Sequence, residues 1–347
     1  MKIRLLAGLL AVGLAAGCGG ATVETSPSAS APAAGASASG GSAGTVKIAI
    51  NPWVGYEASA NVVAYLLKNE LNYEVELPEI KEQLAWEGFE TGDVDVIIEN
   101  WGHPDLKKQF IEEKKTAQEA GSTGNKGVIG WYIPKWMADE HPGITDYKNL
   151  NKYADLFKTS ESGDKGQLLF GDPSYVSNED ALIKNLKLDY KVVVGGSEAA
   201  LIKSAQQAQE QKKPLLFYFW DPHWLFSKTE LVRVNLPPYT EGCDADPKKV
   251  ACDYPEMDLD KIVSTKFAQS GGKAYELIKN FSWTNEDQNA VADDMTNGGM
   301  TGEEAAKKWV EANPAKWQAW IPPSDPLLTP HDRAPAPAGA RFPETSS

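Results

Sequence analysis

From Val46 onward, apolar runs of strand length alternate with stretches of helical spacing. Val46–Trp53 (VKIAINPW), Val94–Trp101 (VDVIIENW) and Leu215–Trp220 (LLFYFW) have the apolar density of buried strands. Each delivers an indole to a turn: Trp53 before Val54-Gly55-Tyr56, Trp101 before Gly102-His103-Pro104, and Trp220 before Asp221-Pro222-His223-Trp224. Ala58–Asn69 puts Val62, Val63, Leu66 and Leu67 on one helical face, and Ile80–Thr91 predicts a helix stopped by Gly92. Further strands are predicted at Tyr73–Leu77, Val128–Ile133, Leu168–Phe170, Tyr190–Val194 and Leu231–Leu236. Helices are predicted over Asp105–Ala120, Tyr147–Phe157, Glu179–Leu188 and Ser197–Gln211, then over Ser264–Phe281, Glu286–Thr296 and Gly302–Asn313.

This alternation is an α/β pattern, and it occurs as two βα sets. The sets suggest two lobes with a cleft between them and two crossings, near Ile133–Pro134 and Ser227–Leu231. Residues 46–133 and 228–321 then form the first lobe, and 134–227 the second. In open α/β sheets, ligands bind beyond the carboxyl ends of strands, where the three indoles fall.

The ends of the chain read differently. Met1–Gly17 carries Lys2 and Arg4, an apolar stretch and small residues, the layout of a signal peptide too short to span a membrane. Cys18 follows directly and resembles a bacterial lipoprotein cleavage site, where the new N-terminal cysteine is acylated. Residues 18–45 are rich in Gly, Ser, Ala and Pro and are expected to be a flexible tether. The Pro-rich segment 322–347 is expected to be a disordered tail.

The formal charge is −14, and loss of Lys2 and Arg4 with the signal makes it about −16. Such acidity disfavours nucleic acid and anionic lipid as partners. Cys243 and Cys252 in an exported chain point to a disulfide that pins a loop. No CxxC or HxxxH occurs and the four histidines are scattered, so neither a metal nor a cofactor is expected. The chain lacks GxSxG, a phosphate-binding glycine loop and a Cys beside a His, and no catalytic set emerges.

Aromatic faces attract cations by about 0.5–2 kcal/mol per ring, and a quaternary ammonium has no N–H for hydrogen bonds to select. Trp53, Trp101 and Trp220 are therefore candidate walls of an aromatic cage. The order NPWVGYEASANVVAYLL, IIENWGHP, GWYIPKW and FWDPHW resembles the substrate-binding proteins of glycine betaine/choline ABC importers, from about Val46 to Trp320. The resemblance implies a two-lobed, type II periplasmic-binding-protein fold that closes on a trimethylammonium head. It also implies delivery to an ABC permease, as a monomer held outside the cell by its lipidated cysteine. By that resemblance Tyr175 and Trp131 join the cage; Trp131 and Tyr132 face opposite sides of their strand, so only one can reach the cleft. For a ligand carboxylate, the family's use of helix-start amides and a histidine points to Gly55, Tyr56, Glu57 and His223. Some choline-selective relatives have an acidic residue just after the first cage tryptophan. Val54-Gly55 stands there in this chain, which favours glycine betaine, while Glu57, Glu99 and Asp221 keep choline and carnitine open. Two other classes stay in view: an exported structural or adhesion protein with core tryptophans, and an extracellular hydrolase.

Overall fold

A computed structural model describes residues 43–175 and 177–323. The expected signal peptide, Cys18 and nearly all of the tether and tail lie outside those residues. The strands are β1 (Thr45–Lys47), β2 (Glu74–Glu76), β3 (Val96–Asn100), β4 (Ala117–Pro134), β5 (Gly166–Phe170), β6 (Tyr190–Val194), β7 (Phe217–Asp221), β8 (Leu231–Arg233) and β9 (Glu256–Ser264). The main sheet runs β3-β9-β4-β7-β5-β6, with β8 paired to the end of β4. β5 pairs in parallel with β6 and β7, whereas β9 and β4 pair antiparallel with their neighbours. The parallel pair β1-β2 reaches this sheet through a parallel bridge between Ile48 and Val96.

β4 connects the two halves of the sheet. Its residues from Ala117 to Val128 pair with β9, those from Val128 to Tyr132 with β7, and Tyr132–Pro134 with β8. One continuous strand thus runs through to the expected crossing at Ile133–Pro134. The helix expected over Asp105–Ala120 ends at Glu113, and β4 begins at Ala117. The polar run AQEAGSTGNK has no apolar stripe to announce a strand. Backbone pairing with β9, bulged between Glu119 and Ser122 and again before Lys126, holds it there.

Two apolar cores flank the sheet. In the first, α1 (Val54–Leu71) packs Val62, Val63, Leu66 and Leu67 with Ile48, Val96 and Ile98, and with Leu277, Val291 and Val310 of the C-terminal helices. α1 stops at Asn72, which adopts the left-handed conformation (φ 59°) and returns its N–H to the Leu67 carbonyl. The second core gathers Trp131, Ile133, Leu150, Phe157, Leu168 and Leu216. Val234, Leu236, Val250 and Cys252 also pack there, although their segment was expected in the first lobe, while Leu231 packs against the first core. β9 adds Leu259, Ile262 and Val263 to the first core. Cys243 and Cys252 are joined as a disulfide, with Cα atoms 6.3 Å apart. Among the described residues, no helix is long and apolar enough to cross a membrane.

Candidate ligand-binding site

The three indole-bearing strand ends converge. Trp53 is the N-cap residue of α1, Trp101 follows the last residue of β3, and Trp220 lies near the end of β7. All three line one cavity of about 400 Å³, its mouth included, together with Tyr175 and Tyr218. Ile129 completes its apolar wall, and Glu82 and His103 are its polar lining.

Two of the tryptophans, Trp53 and Trp101, are held by a carboxylate. Glu99 lies inside β3 among apolar neighbours and is 1% exposed. Its Oε1 accepts from both Trp53 Nε1 and Trp101 Nε1, each at 2.9 Å. Its Oε2 accepts from the Ser59 hydroxyl of α1 at 3.2 Å and from the Gln288 side-chain amide. Burial raises the Glu99 pKa, and the donors from Trp53, Trp101, Gln288 and Ser59 oppose that rise. A buried carboxyl with this many donors is satisfied, and two indole planes are fixed at once. Trp101 also lies directly on β4: a Cβ at Gly127 would meet the indole Cζ3 at 2.7 Å, so only glycine fits there.

Tyr175 links the aromatic set. Its ring lies 6.0 Å from Trp53 and 5.5 Å from Trp220, close to perpendicular to both. Its hydroxyl donates to the Pro52 carbonyl at 3.2 Å. Burial, reinforced by Glu198, Asp172 and Glu82, raises the pKa of that hydroxyl and keeps it neutral. Tyr218 lies 5.9 Å from Trp220 and 6.3 Å from Tyr175, ring centre to ring centre. It sits two residues before Trp220 on β7, so strand periodicity puts both on one face. At the polar end, His103 Nε2 meets Glu82 Oε1 at 2.5 Å.

Not every candidate reaches the cavity. Trp131 pairs across the strands with Tyr218 and shares the face that carries Trp220, yet it lies one rung deeper, fully buried in the second core. Tyr132 is on the opposite face, against Phe217 and Phe226, and burial pushes its hydroxyl up to about 12. Gly55, Tyr56, Glu57 and His223 do not line the cavity. The Gly55 carbonyl accepts from Gln288, the Tyr56 hydroxyl accepts from the Ile98 N–H, and the Glu57 amide donates to the Trp53 carbonyl. His223 Nδ1 accepts from the Leu225 N–H at 3.0 Å, and Nε2 faces Glu198 Oε1 at 3.1 Å. Glu198 also takes the first amide of α1, Val54 N–H, at 3.0 Å. These groups form a shell behind the indoles. Of the lining residues not proposed as site residues, Tyr218 had a signal in its strand period and His103 one in its place two residues after Trp101. Ile129 had one only through its register opposite Trp220, and Glu82, first residue of the helix Glu82–Thr91, has no local mark.

Residues 44–312 match the family model described as the substrate binding domain of ABC-type glycine betaine transport systems. The trimethylamine N-oxide-binding protein of Pelagibacter ubique (strain HTCC1062) is 26% identical over 293 residues, covering 78% of this chain and 89% of that protein. Lactococcal OpuAC, solved closed with glycine betaine, superposes with a TM-score of 0.64 at 23% identity, over 80% of this chain and 99% of that one. An ABC-transporter choline binding protein solved with choline gives 0.64 at 20% identity, over 80% and 91% of the two chains. These two solved structures share the fold.

Two outcomes test the site's internal order. Glu99→Ala leaves two buried indole N–H groups without an acceptor and is expected to cost at least about 2 kcal/mol in urea denaturation; a loss under about 0.5 kcal/mol would mean the carboxylate does not hold them. The Glu57 carboxyl is pushed up to about 7 by burial, with Glu198 and Glu79 adding repulsion. A carboxyl whose folded pKa is raised contributes stability that is full below its unfolded pKa and lost as pH rises through about 7. Glu57→Gln should therefore raise the melting temperature relative to wild type more at pH 8 than at pH 4.5; an equal shift at both would contradict the assignment.

Proposed function

The chain belongs to the substrate-binding domains of ABC-type glycine betaine transport systems, and from that premise we propose that it captures a small methylated-ammonium solute of the betaine–choline class between Trp53, Trp101, Trp220, Tyr175 and Tyr218. Members of this family are extracytoplasmic solute-binding components that work with ABC permeases, and they are not enzymes. The observation that carries the reading is the convergence of five aromatic rings from separate segments on one cavity, two of them fixed by Glu99. A methylated onium group offers no N–H to select by hydrogen bonding, and ring quadrupoles supply the attraction, about 0.5–2 kcal/mol each. Cys18 would carry the lipid anchor ahead of the tether.

Closure of the two halves is part of the same proposal. Trp53 and Trp101 come from the first segment of the chain, whereas Tyr175, Tyr218 and Trp220 come from the second. A ligand touching both sets binds the closed arrangement better than an open one and so shifts the population toward it. The hinge would use the crossings inside β4 and before β9, where backbone pairing changes partner. The Tyr175–Pro52 and Glu198–Val54 hydrogen bonds span the same gap.

A second reading follows from the Pelagibacter relative, whose name gives its ligand as trimethylamine N-oxide. That solute presents the same three methyl groups to the rings and an oxide in place of the acetate. Calorimetry against glycine betaine, choline, carnitine and trimethylamine N-oxide ranks them. Trp220→Ala is expected to weaken whichever binds by at least about tenfold, with the melting curve still cooperative. An affinity unchanged by that substitution would remove Trp220 from the cage.

A further inference from the structure

The half of the cavity that Glu99 does not touch has a buried carboxyl of its own. Glu179, the first residue of the helix Glu179–Asn185, is 4% exposed. Its Oε1 accepts from the Tyr254 hydroxyl and its Oε2 from the Ser177 hydroxyl. Each donor leads to a ring of the cavity. The Tyr254 ring packs edge-on to Tyr218 at 6.4 Å between centres, and Tyr218 lines the cavity beside Trp220. Ser177 lies two residues after Tyr175, whose ring is 6.3 Å from that of Tyr218. Tyr254 is fixed from its backbone side as well. Its N–H donates to the Asp253 carboxylate, which also accepts from Arg233, and Arg233 donates in turn to the carbonyl of Ile129 in the cavity wall.

Burial raises the pKa of the Glu179 carboxyl to about 7; the Tyr254 hydroxyl and the Trp131 indole oppose the rise, and Asp180 adds to it. The Tyr254 and Tyr218 phenols face the same carboxyl and are kept neutral, by burial first and then by its charge. On the outer side, Asp180, Lys184 and Lys248 share an open groove with Glu179. Ionised, the carboxylate accepts from both hydroxyls; protonated, one of its oxygens becomes a donor, and the pair of bonds that fixes Tyr254 and Ser177 has to rearrange.

We propose that Glu179 is a positioning residue of the ligand site: by holding the Tyr254 and Ser177 hydroxyls at once, its carboxylate sets Tyr218 and the segment that carries Tyr175, as Glu99 sets Trp53 and Trp101. This rests on the reading of the aromatic cavity as a methylammonium site. Glu179 does not line that cavity and acts through the rings, whose order before binding spares entropy when the solute arrives. Proton and solute are then linked through one carboxyl, and such linkage is reciprocal. The solute favours the ionised form that holds both hydroxyls, so the share of affinity that Glu179 supplies grows as pH rises through about 7.

The test is isothermal calorimetry of the full folded chain with choline and glycine betaine as probes, at pH 6 and pH 8, for wild type and Glu179→Gln. Glutamine keeps one acceptor and cannot ionise. The variant is expected to bind the tighter probe about fivefold more weakly than wild type at pH 8, and within about twofold of it at pH 6, where wild-type Glu179 is mostly protonated. Titration of other groups, His103 and Glu57 among them, is common to both proteins and cancels in that ratio. A purely structural defect gives the same ratio at both pH values; an equal ratio, or an affinity that Glu179→Gln leaves unmoved at pH 8, overturns the proposal. Tyr254→Phe removes the donor from the other side and needs no folded Glu179 variant. It is expected to weaken binding at pH 8 by about fivefold with the melting curve still cooperative, and an unchanged affinity again overturns the proposal. If neither probe binds wild type, the methylammonium reading itself fails and the inference falls with it, whereas wild-type binding that both substitutions leave unmoved sinks the inference alone.

Discussion

A buried carboxylate that accepts from two indoles at once is the contact on which the rest of this site depends. Glu99 is an ionisable group inside a strand of apolar residues, a placement that costs several kcal/mol unless donors replace the lost water. The donors come from four places: Trp53 at the start of α1, Trp101 after β3, Ser59 one turn into α1, and Gln288 from the helix Asn285–Thr296. Satisfying one carboxyl therefore ties a strand, a helix N-terminus and a C-terminal helix together. The same bonds fix the planes of two rings that have no polar partner in the cavity they line. Rings set in advance lose little entropy when a ligand arrives, which is how a nonpolar contact surface becomes a binding site.

The second half of the molecule brings the other three rings, and β4 makes that possible. A single strand pairs first with β9 and then with β7, so Ile129 stands opposite Trp220 while Gly127 lets Trp101 lie against the same strand. The cavity wall thus draws on side chains from both sides of β4. Charge follows a similar logic. The chain is acidic overall, and Glu82, Glu57 and Glu198 gather around the aromatic set, with His103 and His223 as their partners or neighbours. An onium group entering there meets a field of favourable sign.

How much of this the sequence discloses depends on the kind of signal each feature leaves. The apolar strands ending in Trp53, Trp101 and Trp220 are legible because hydrophobic density and a Gly or Pro turn are local properties, and the three residues do meet at one cavity. Tyr218 is legible in the same way, through the period of two along LLFYFW. Trp131 shows the limit of that logic: parity identifies its face, but depth along the face is set by the register with β7, a long-range property. β9 escapes because EMDLDKIVS reads as a charged, solvated segment. In the fold, its Lys261 is fully buried, with Nζ donating to the Lys279 and Phe281 carbonyls. For a related reason, Val234, Leu236, Val250 and Cys252 join the second core through tertiary packing that no local pattern announces. The Glu198 contact with Val54 N–H has no sequence signature at all, because it joins two helix starts 144 residues apart.

The central claim is that indoles positioned by Glu99 converge on one water-poor pocket for a methylated onium group. A crystal structure of the protein grown with choline or glycine betaine tests it most directly. The account predicts the onium nitrogen within about 6 Å of the ring centroids of Trp53, Trp101 and Trp220, with both indole N–H groups still on Glu99. A ligand seated elsewhere, or a pocket in which those indoles have left Glu99 and turned away from the bound cation, would contradict it.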